Sequence, residues 1–206
     1  MSSPRPLWLL AAPAVFLLLW SGGFAVAKIG LQHAEPLTIL ALRYAILVVV
    51  LLPLAVILRV PMPATLRGWA DVAIVGFLIQ VVYFVACYVA FKSGVSAGGV
   101  AIIVCLQPIL VALIALRMVG ERVSLWGWIG LALGLAGAAI VISARGAIAA
   151  ENTIGLICAV VGLLGITAGT LWEKRFGKSH HPVAANLIQY AVGGKRCSNP
   201  TFYLRM

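Results

Sequence analysis

Apolar residues occur along this chain in long runs that are separated by short polar or charged segments. The runs are Leu7–Ala27, Leu37–Leu58, Val72–Phe91, Gly98–Val119, Leu125–Ser143 and Ile154–Leu171. Each run is close to the roughly 20 residues that an α-helix needs to cross a bilayer. Because lipid cannot satisfy unpaired backbone groups, the pattern predicts an all-α fold, a polytopic bundle of transmembrane helices.

The composition supports a membrane protein over a soluble domain. Of the 206 residues, 63% are hydrophobic and only 10% are charged, which is too few charges to cover a soluble fold of this size. The net charge of +10 would suggest a nucleic-acid partner if the basic residues formed a stripe with aromatic residues. They lie instead between the apolar runs, so we expect the lipid bilayer as the partner and no nucleic acid.

The basic residues of the loops divide unequally between the two sides of the membrane. One side receives Arg5, Arg59, Arg67, Arg117, Arg122, Lys174, Arg175 and Lys178, and the other receives Lys28, Lys92 and Arg145. The positive-inside rule places the richer side in the cytoplasm. We therefore expect a multi-pass protein of the cell inner membrane with a cytoplasmic N-terminus.

A shift of 146 residues superimposes the later part of the chain on its beginning. The shift pairs Gly23 with Gly169, Lys28 with Lys174, Pro36 with Pro182, Tyr44 with Tyr190 and Ala45 with Ala191. Five spans precede the second copy, so it enters the membrane in the opposite direction. Inverted repeats of this kind are typical of secondary transporters. The sequence predicts a first repeat of five helices at 7–143 and the start of a second repeat at 154–194.

The apolar run of the second copy ends at Gly194. Its second helix begins at Val183, but Lys195 and Arg196 follow where the first copy continues with apolar residues. We expect a truncation or frameshift near Gly194, with 195–206 as an aberrant tail; a short interfacial end segment is the alternative. The stub at 183–194 is too short to span a bilayer, so we expect it at the membrane interface or bound to another subunit.

Several short segments resemble the EamA-type transporters of the drug/metabolite transporter superfamily. They are the Leu-Trp-Ser-Gly-Gly-Phe at 19–24 with Lys28, Pro36 with the Leu-Arg-Tyr at 42–44, and Gln-Pro-Ile-Leu at 107–110 with the segment 120–130. The resemblance implies ten helices in a full member, both termini in the cytoplasm, and transport or export of small metabolites. The chain departs from the family in lacking helices eight to ten.

Polar and aromatic side chains within the spans are the candidates for substrate binding. They are Trp20, Ser21, Arg43, Gln80, Tyr83, Gln107 and Thr167. Helical spacing puts Gln80, Tyr83 with Phe84, and Cys87 on one face of the third span, which suits either a cavity for flat or zwitterionic molecules or interhelical packing. Arg43 either binds the carboxylate of an amino-acid-like substrate or extends to the headgroups.

Two features of the spans concern helix geometry. Pro108 removes a backbone donor and frees the carbonyl near Val104, so it is a candidate hinge or a tolerated kink. A second feature is a stripe of small residues along the fifth span, which predicts close helix packing or a homodimer. Its members are Gly127, Gly130, Gly134 and Gly137.

Catalytic and metal chemistry have little support in the sequence. No carboxylate lies deep in a span, and His33, His180 and His181 are in loops. A proton relay or a nucleophile with its base would need such groups within the bundle. We therefore expect no enzymatic activity, no cofactor and no metal site, and read His180–His181 as a solvated loop.

Together these patterns predict a membrane transporter that exports small metabolites, such as amino acids or related compounds, by alternating access. A non-transporting truncated membrane fragment and a structural or partner-binding membrane subunit are the alternatives. The substrate itself is not specified by the sequence, because proteins that share a helix plan differ in substrate.

Overall fold

The computed structural model describes residues 15, 17–18, 22–23, 26–118, 124–144, 153–177 and 180–197. Most of the predicted first span lies outside these residues, and so do Trp20 and Ser21. Residues 26–30 are helical. The helices that follow are α1 (Pro36–Ile57), α2 (Leu66–Lys92), α3 (Ala97–Met118), α4 (Leu125–Ala144), α5 (Thr153–Phe176) and α6 (Pro182–Cys197).

Helices α1, α2, α3 and α5 are long and apolar enough to cross a membrane, with mean hydropathies between 2.2 and 2.7. Helix α4 has 20 residues, of which Leu125–Gly137 form its described apolar stretch. Helix α1 exposes large apolar side chains such as Leu42 and Val49, whereas its Leu40 and Tyr44 are fully buried. An apolar exterior of this kind suits lipid contact, so the predicted polytopic all-α membrane bundle is confirmed.

The helices begin at residues that satisfy or remove the free backbone donors. Pro36 and Pro182 are the first residues of α1 and α6, where a missing N–H costs nothing. Thr65 Oγ1 accepts a hydrogen bond from the Gly68 N–H at 3.1 Å at the start of α2. At the start of α3, Ser96 Oγ accepts from the Gly99 N–H at 2.9 Å.

Two helices depart from regular α-helical geometry. The middle of α2, from Phe77 to Tyr83, is a π-helix. Helix α3 is interrupted at Leu106, whose N–H bonds to the Ile103 carbonyl three residues earlier at 3.2 Å. The interruption lies two residues before Pro108, as the missing donor of that proline predicts. A hinge motion at this point stays a prediction.

Glycines of α5 bring this helix close to α2. A Cβ added at Gly165 would lie 2.8 Å from Val82 Cγ1 and 3.1 Å from the Leu78 carbonyl oxygen. One added at Gly169 would lie 2.6 Å from Ile79 Cγ1. A larger residue at Gly165 would press on side chain and backbone of α2, and one at Gly169 would require the Ile79 side chain to move.

Three glycines of α4, in contrast, make no close contact with another helix among the described residues. An added Cβ at Gly130, Gly134 or Gly137 would meet nothing within 4 Å. Helix α4 packs mainly against the first half of α3, Ala97–Cys105, and leaves these glycines uncovered. These three glycines do not pack within the described part of the chain, and both expected roles, close helix packing and dimerisation, stay predictions.

Helix α6 packs inside the bundle, against α1 and α2. Near its end, an added Cβ at Gly193 would lie 3.0 Å from the Tyr44 ring in the first half of α1. Near its start, Ala184 clusters with Ala55 and Val60 at the other end of α1. Helices α1 and α6 are therefore antiparallel, as an inverted repeat requires.

The expected position of α6 at the interface or on another subunit is wrong for the described helix. It continues through Lys195 and Arg196 to Cys197, and its small residues allow close contact with α1 and α2. The number of apolar residues in 183–194 could not reveal that α6 packs inside the bundle, because this packing depends on contacts with α1 and α2. Residues 198–206 of the predicted aberrant tail lie outside the described residues.

Candidate substrate cavity

A cavity of about 570 Å³ lies between the residues that precede α1, α1 itself and the second half of α2. Its lining is mostly apolar and aromatic, with a single charged residue. The lining residues are Leu18, Gly22, Gly23, Val26, Ala27, Gly30, Ile39, Arg43, Tyr83, Phe84, Cys87, Tyr88 and Phe91. A concave apolar site with a few polar groups is the usual form of a small-molecule site.

Arg43 provides the positive charge of this cavity. It lies seven residues after Pro36, or about 10 Å along α1 at 1.5 Å per residue. Its guanidinium carbon lies 4.3 Å from the centroid of the Phe84 ring, within the range of a cation–π contact. This contact directs the guanidinium towards α2 and the cavity.

The aromatic wall consists of two contacting pairs on α2. The ring centroids of Tyr83 and Phe84 are 4.8 Å apart, and those of Tyr88 and Phe91 are 6.1 Å apart. Both pairs are tilted, which is a favourable arrangement for aromatic rings. They give the cavity a rigid surface for a flat or bulky apolar group.

The described residues place no carboxylate in the lining of this cavity. Glu35 Oε2 instead forms an ion pair with Lys92 Nζ at 2.6 Å, on an exposed part of the protein. Asp71 accepts a hydrogen bond from Trp172 Nε1 at 3.2 Å, linking α2 to α5. Arg43 is thus a cation within a span without a described acidic partner.

A second and larger cavity, of about 910 Å³, lies on the opposite side of α2, against α5. Valines such as Val81 and Val85 dominate its wall, and the Glu35–Lys92 pair lies at its edge. Arg196 also lines it, 5.8 Å from the Phe77 ring centroid. It differs from the Arg43 cavity in that its acidic residue is already paired and its wall is largely aliphatic.

The residues that the sequence selected for substrate binding do not all lie at the same cavity. Arg43 and Tyr83 line the same cavity, together with Cys87. Gln80 is buried behind it: Tyr44 OH donates to the Gln80 carbonyl at 2.5 Å, and the side-chain Oε1 of Gln80 has no hydrogen-bond partner.

The other polar candidates connect or brace helices. Gln107 Nε2 donates to Thr170 Oγ1 at 3.0 Å, between α3 and α5. Thr167 Oγ1 donates to the Leu163 carbonyl of its own helix at 2.7 Å. Neither Gln107 nor Thr167 lines the Arg43 cavity.

Phe84, Tyr88 and Phe91 form much of the wall, but sequence reasoning grouped only Phe84 with Tyr83 and did not select Tyr88 and Phe91. Their spacing of four and then three residues places them on one helical face, which is the signal that could have identified them. The contribution of Gly22, Gly23 and Gly30 had no comparable signal. For metals, no group of three His, Cys, Asp or Glu side chains comes together within the described ranges.

Residues 7–143 match the EamA-like transporter family. The chain belongs to this family. The matched residues are the same as those of the predicted first repeat. Membership makes the chain part of a family of membrane transporters, in agreement with its apolar helices.

Two relatives of the EamA-like chain illustrate the match. It is 27% identical over 184 residues to the uncharacterized transporter YvbV of Bacillus subtilis, covering 87% of this chain and 58% of the relative. It is 26% identical over 185 residues to the uncharacterized inner membrane transporter YedA of Escherichia coli, covering 90% of this chain and 59% of the relative. The chain thus spans less than two thirds of either relative, and no solved structure matches it.

Proposed function

We propose that the protein exports small metabolites, such as amino acids or related compounds, through the Arg43 cavity. The observation that carries this proposal is the position of Arg43, within a membrane span and facing a cavity of about 570 Å³. Ionisable residues inside membranes commonly mark substrate pathways. The cavity volume is also within the usual range for small-molecule sites.

The transport mechanism that we propose is alternating access between two inverted halves. Its support is the antiparallel contact of α1 with α6, the two helices that the repeat equates. In transporters with inverted repeats, the substrate lies near the midplane, and one repeat rocks against the other. The proposed location is the inner membrane with a cytoplasmic N-terminus, on the basis of the loop charges and of the description of YedA.

A partner-binding membrane subunit is the second candidate function. The uncovered glycines of α4 favour it, because small residues permit close approach of another helix. The same surface would serve a homodimer of a transporter. The two functions differ in whether this chain itself moves a solute.

Flux measurements on the purified chain in liposomes test the proposal. Vesicles are preloaded with a panel of amino acids and organic acids, and the exchange of labelled solute is followed against empty vesicles. Saturable exchange of one solute class supports transport. Correct insertion with no exchange, together with recovery of a specific dimer or partner complex, would favour the subunit.

A further inference from the structure

We propose that the Arg43 cavity selects monocarboxylates with an apolar or aromatic body over zwitterionic amino acids and amines. This inference rests on the proposed function and narrows its substrates from amino acids and related compounds to the related compounds that carry a carboxylate and no ammonium group. It follows from the charge of Arg43, from the lack of a described carboxylate in the lining and from the apolar and aromatic wall.

The first step is the unpaired charge of Arg43. An arginine stays protonated even in a partly buried position. The described acids nearest in the chain are already engaged, Glu35 by Lys92 and Asp71 by Trp172. A carboxylate ligand would give Arg43 a planar, bidentate partner, which is the geometry a guanidinium favours.

The second step concerns a ligand's ammonium group. The lining contains Tyr83 and Tyr88 but no described carboxylate. An ammonium group would lose its hydration without gaining an opposite charge, and it would lie near the like charge of Arg43. One ligand carboxylate balances the site, whereas an added ammonium leaves it with an excess positive charge.

The third step is the shape of the remaining wall. Phe84 contacts the guanidinium of Arg43, and Tyr88 and Phe91 line the cavity with the small parts of their surfaces that stay exposed, 4% and 8%. Ile39 and Ala27 complete an apolar surface on the other side. Such a surface suits a phenyl ring or a branched alkyl chain attached to the carboxylate.

Equilibrium binding to the 206-residue chain in lipid nanodiscs tests the inference without requiring transport. The probe is labelled 3-phenylpropionate, and the competitors are phenylalanine, N-acetylphenylalanine and phenethylamine. We expect phenylalanine to compete at least about tenfold more weakly than 3-phenylpropionate, because phenylalanine carries an ammonium group and 3-phenylpropionate does not. N-acetylphenylalanine lacks that charge and should recover most of the affinity, while phenethylamine should not compete.

Variants identify the residue responsible. R43Q, which introduces the residue found at the repeat-equivalent position Gln189, should weaken 3-phenylpropionate binding at least about tenfold. R43K should retain part of the affinity, since it keeps the charge but not the bidentate geometry. The matched control is R67Q, which removes an exposed arginine outside the cavity and should leave binding unchanged.

Three results would overturn the inference: no saturable binding of 3-phenylpropionate at millimolar concentration, equal or tighter binding of phenylalanine, or full affinity in a folded R43Q. If R43Q does not fold, the comparison of phenylalanine with its N-acetyl derivative on the unaltered chain decides the matter. Selective anion binding without flux would contradict only the transport proposal. Flux that prefers phenylalanine over 3-phenylpropionate would contradict only the anion selectivity.

Discussion

The rings of Tyr44 and Tyr190 stack, with their centroids 6.0 Å apart and their planes inclined by 25°. These are the two tyrosines that a shift of 146 residues equates in the sequence. In a two-fold arrangement, a residue contacts its own equivalent only close to the symmetry axis. The stack therefore indicates where the pseudo-two-fold axis of an inverted repeat would pass, between α1 and α6.

The neighbouring pair of equivalent residues shows how far the two halves differ. Arg43 faces the cavity, whereas its equivalent Gln189 is buried against Gly76 of α2. The cation is therefore present in only one of the two halves. The Arg43 cavity that we propose as the substrate site therefore has no cationic counterpart at the Gln189 position, even though the helices around both residues are related by the repeat.

The tyrosine stack predicts energetic coupling between α1 and α6. We expect Tyr44→Leu and Tyr190→Leu to be non-additive by about 0.5–1.5 kcal/mol, the usual worth of an aromatic pair beyond its area. A double-mutant cycle of unfolding in mixed micelles measures this term. Trp69→Leu, at an exposed position near the start of α2, should be additive with Tyr190→Leu. Additivity of the two tyrosine changes would contradict the contact.

The close packing of α5 on α2 predicts a contrast between two glycines. Gly165→Val should destabilise the protein by about 1–3 kcal/mol, because its side chain would overlap Val82 and the Leu78 backbone. Gly134→Val on α4 is the matched control and should change stability by less than about 0.5 kcal/mol, since its Cβ would meet open space. Thermal unfolding in detergent gives both values. Equal losses at the two positions would be inconsistent with this packing.

The unequal loop charges predict the orientation in the membrane. Alkaline phosphatase fused in the loop between α1 and α2, near Arg59 and Arg67, should be inactive because that loop is expected in the cytoplasm. Fused near Lys92, at the end of α2, the same enzyme should be active. Green fluorescent protein at the same two sites provides the reciprocal readout. Inverted activities would reject the orientation.

The cavity predicts protection of an introduced thiol by ligand. Gly23 lines the cavity and a Cβ there meets nothing within 4 Å, so Gly23→Cys should be tolerated. In a background with the four natural cysteines replaced by alanine, 3-phenylpropionate should slow its reaction with a small thiosulfonate reagent. Gly134→Cys on α4 should react at a rate that the ligand does not alter. Equal effects at both positions would mean that the ligand binds elsewhere.

The sequence predicted where helices begin and where they are interrupted better than it predicted which helices pack against each other. Pro36 and Pro182 correctly indicated where α1 and α6 begin, because proline is favoured at the first helical residue. Pro108 likewise indicated the interruption of α3. These signals are local, and each depends on the chemistry of one residue in its own segment.

Relations between helices were harder to predict. Arg43 and Tyr83 were both selected, but the sequence could not show that they share a cavity, since they belong to different helices. The glycines of α4 were chosen as packing residues, while the tight contacts lie at Gly165 and Gly169 of α5. Helical periodicity defines a face, but it does not identify which helix covers that face.

The π-helix of α2 was not predicted either, and it determines which residues the cavity presents. Gly76, before it, contacts the Gln189 backbone of α6, and Phe84, after it, supports Arg43 of α1. Each residue of a regular α-helix advances about 100° around the axis, and a π-helical turn accommodates one extra residue. Because the π-helix takes up this extra residue, Phe84, Tyr88 and Phe91 keep the direction relative to Gly76 that a regular helix one residue shorter would give them. A regular α-helix of the same length would turn these three rings by about 100° and remove the aromatic wall. The direction of the wall thus depends on where one inserted residue is absorbed, a kind of variation that substitutions alone do not sample.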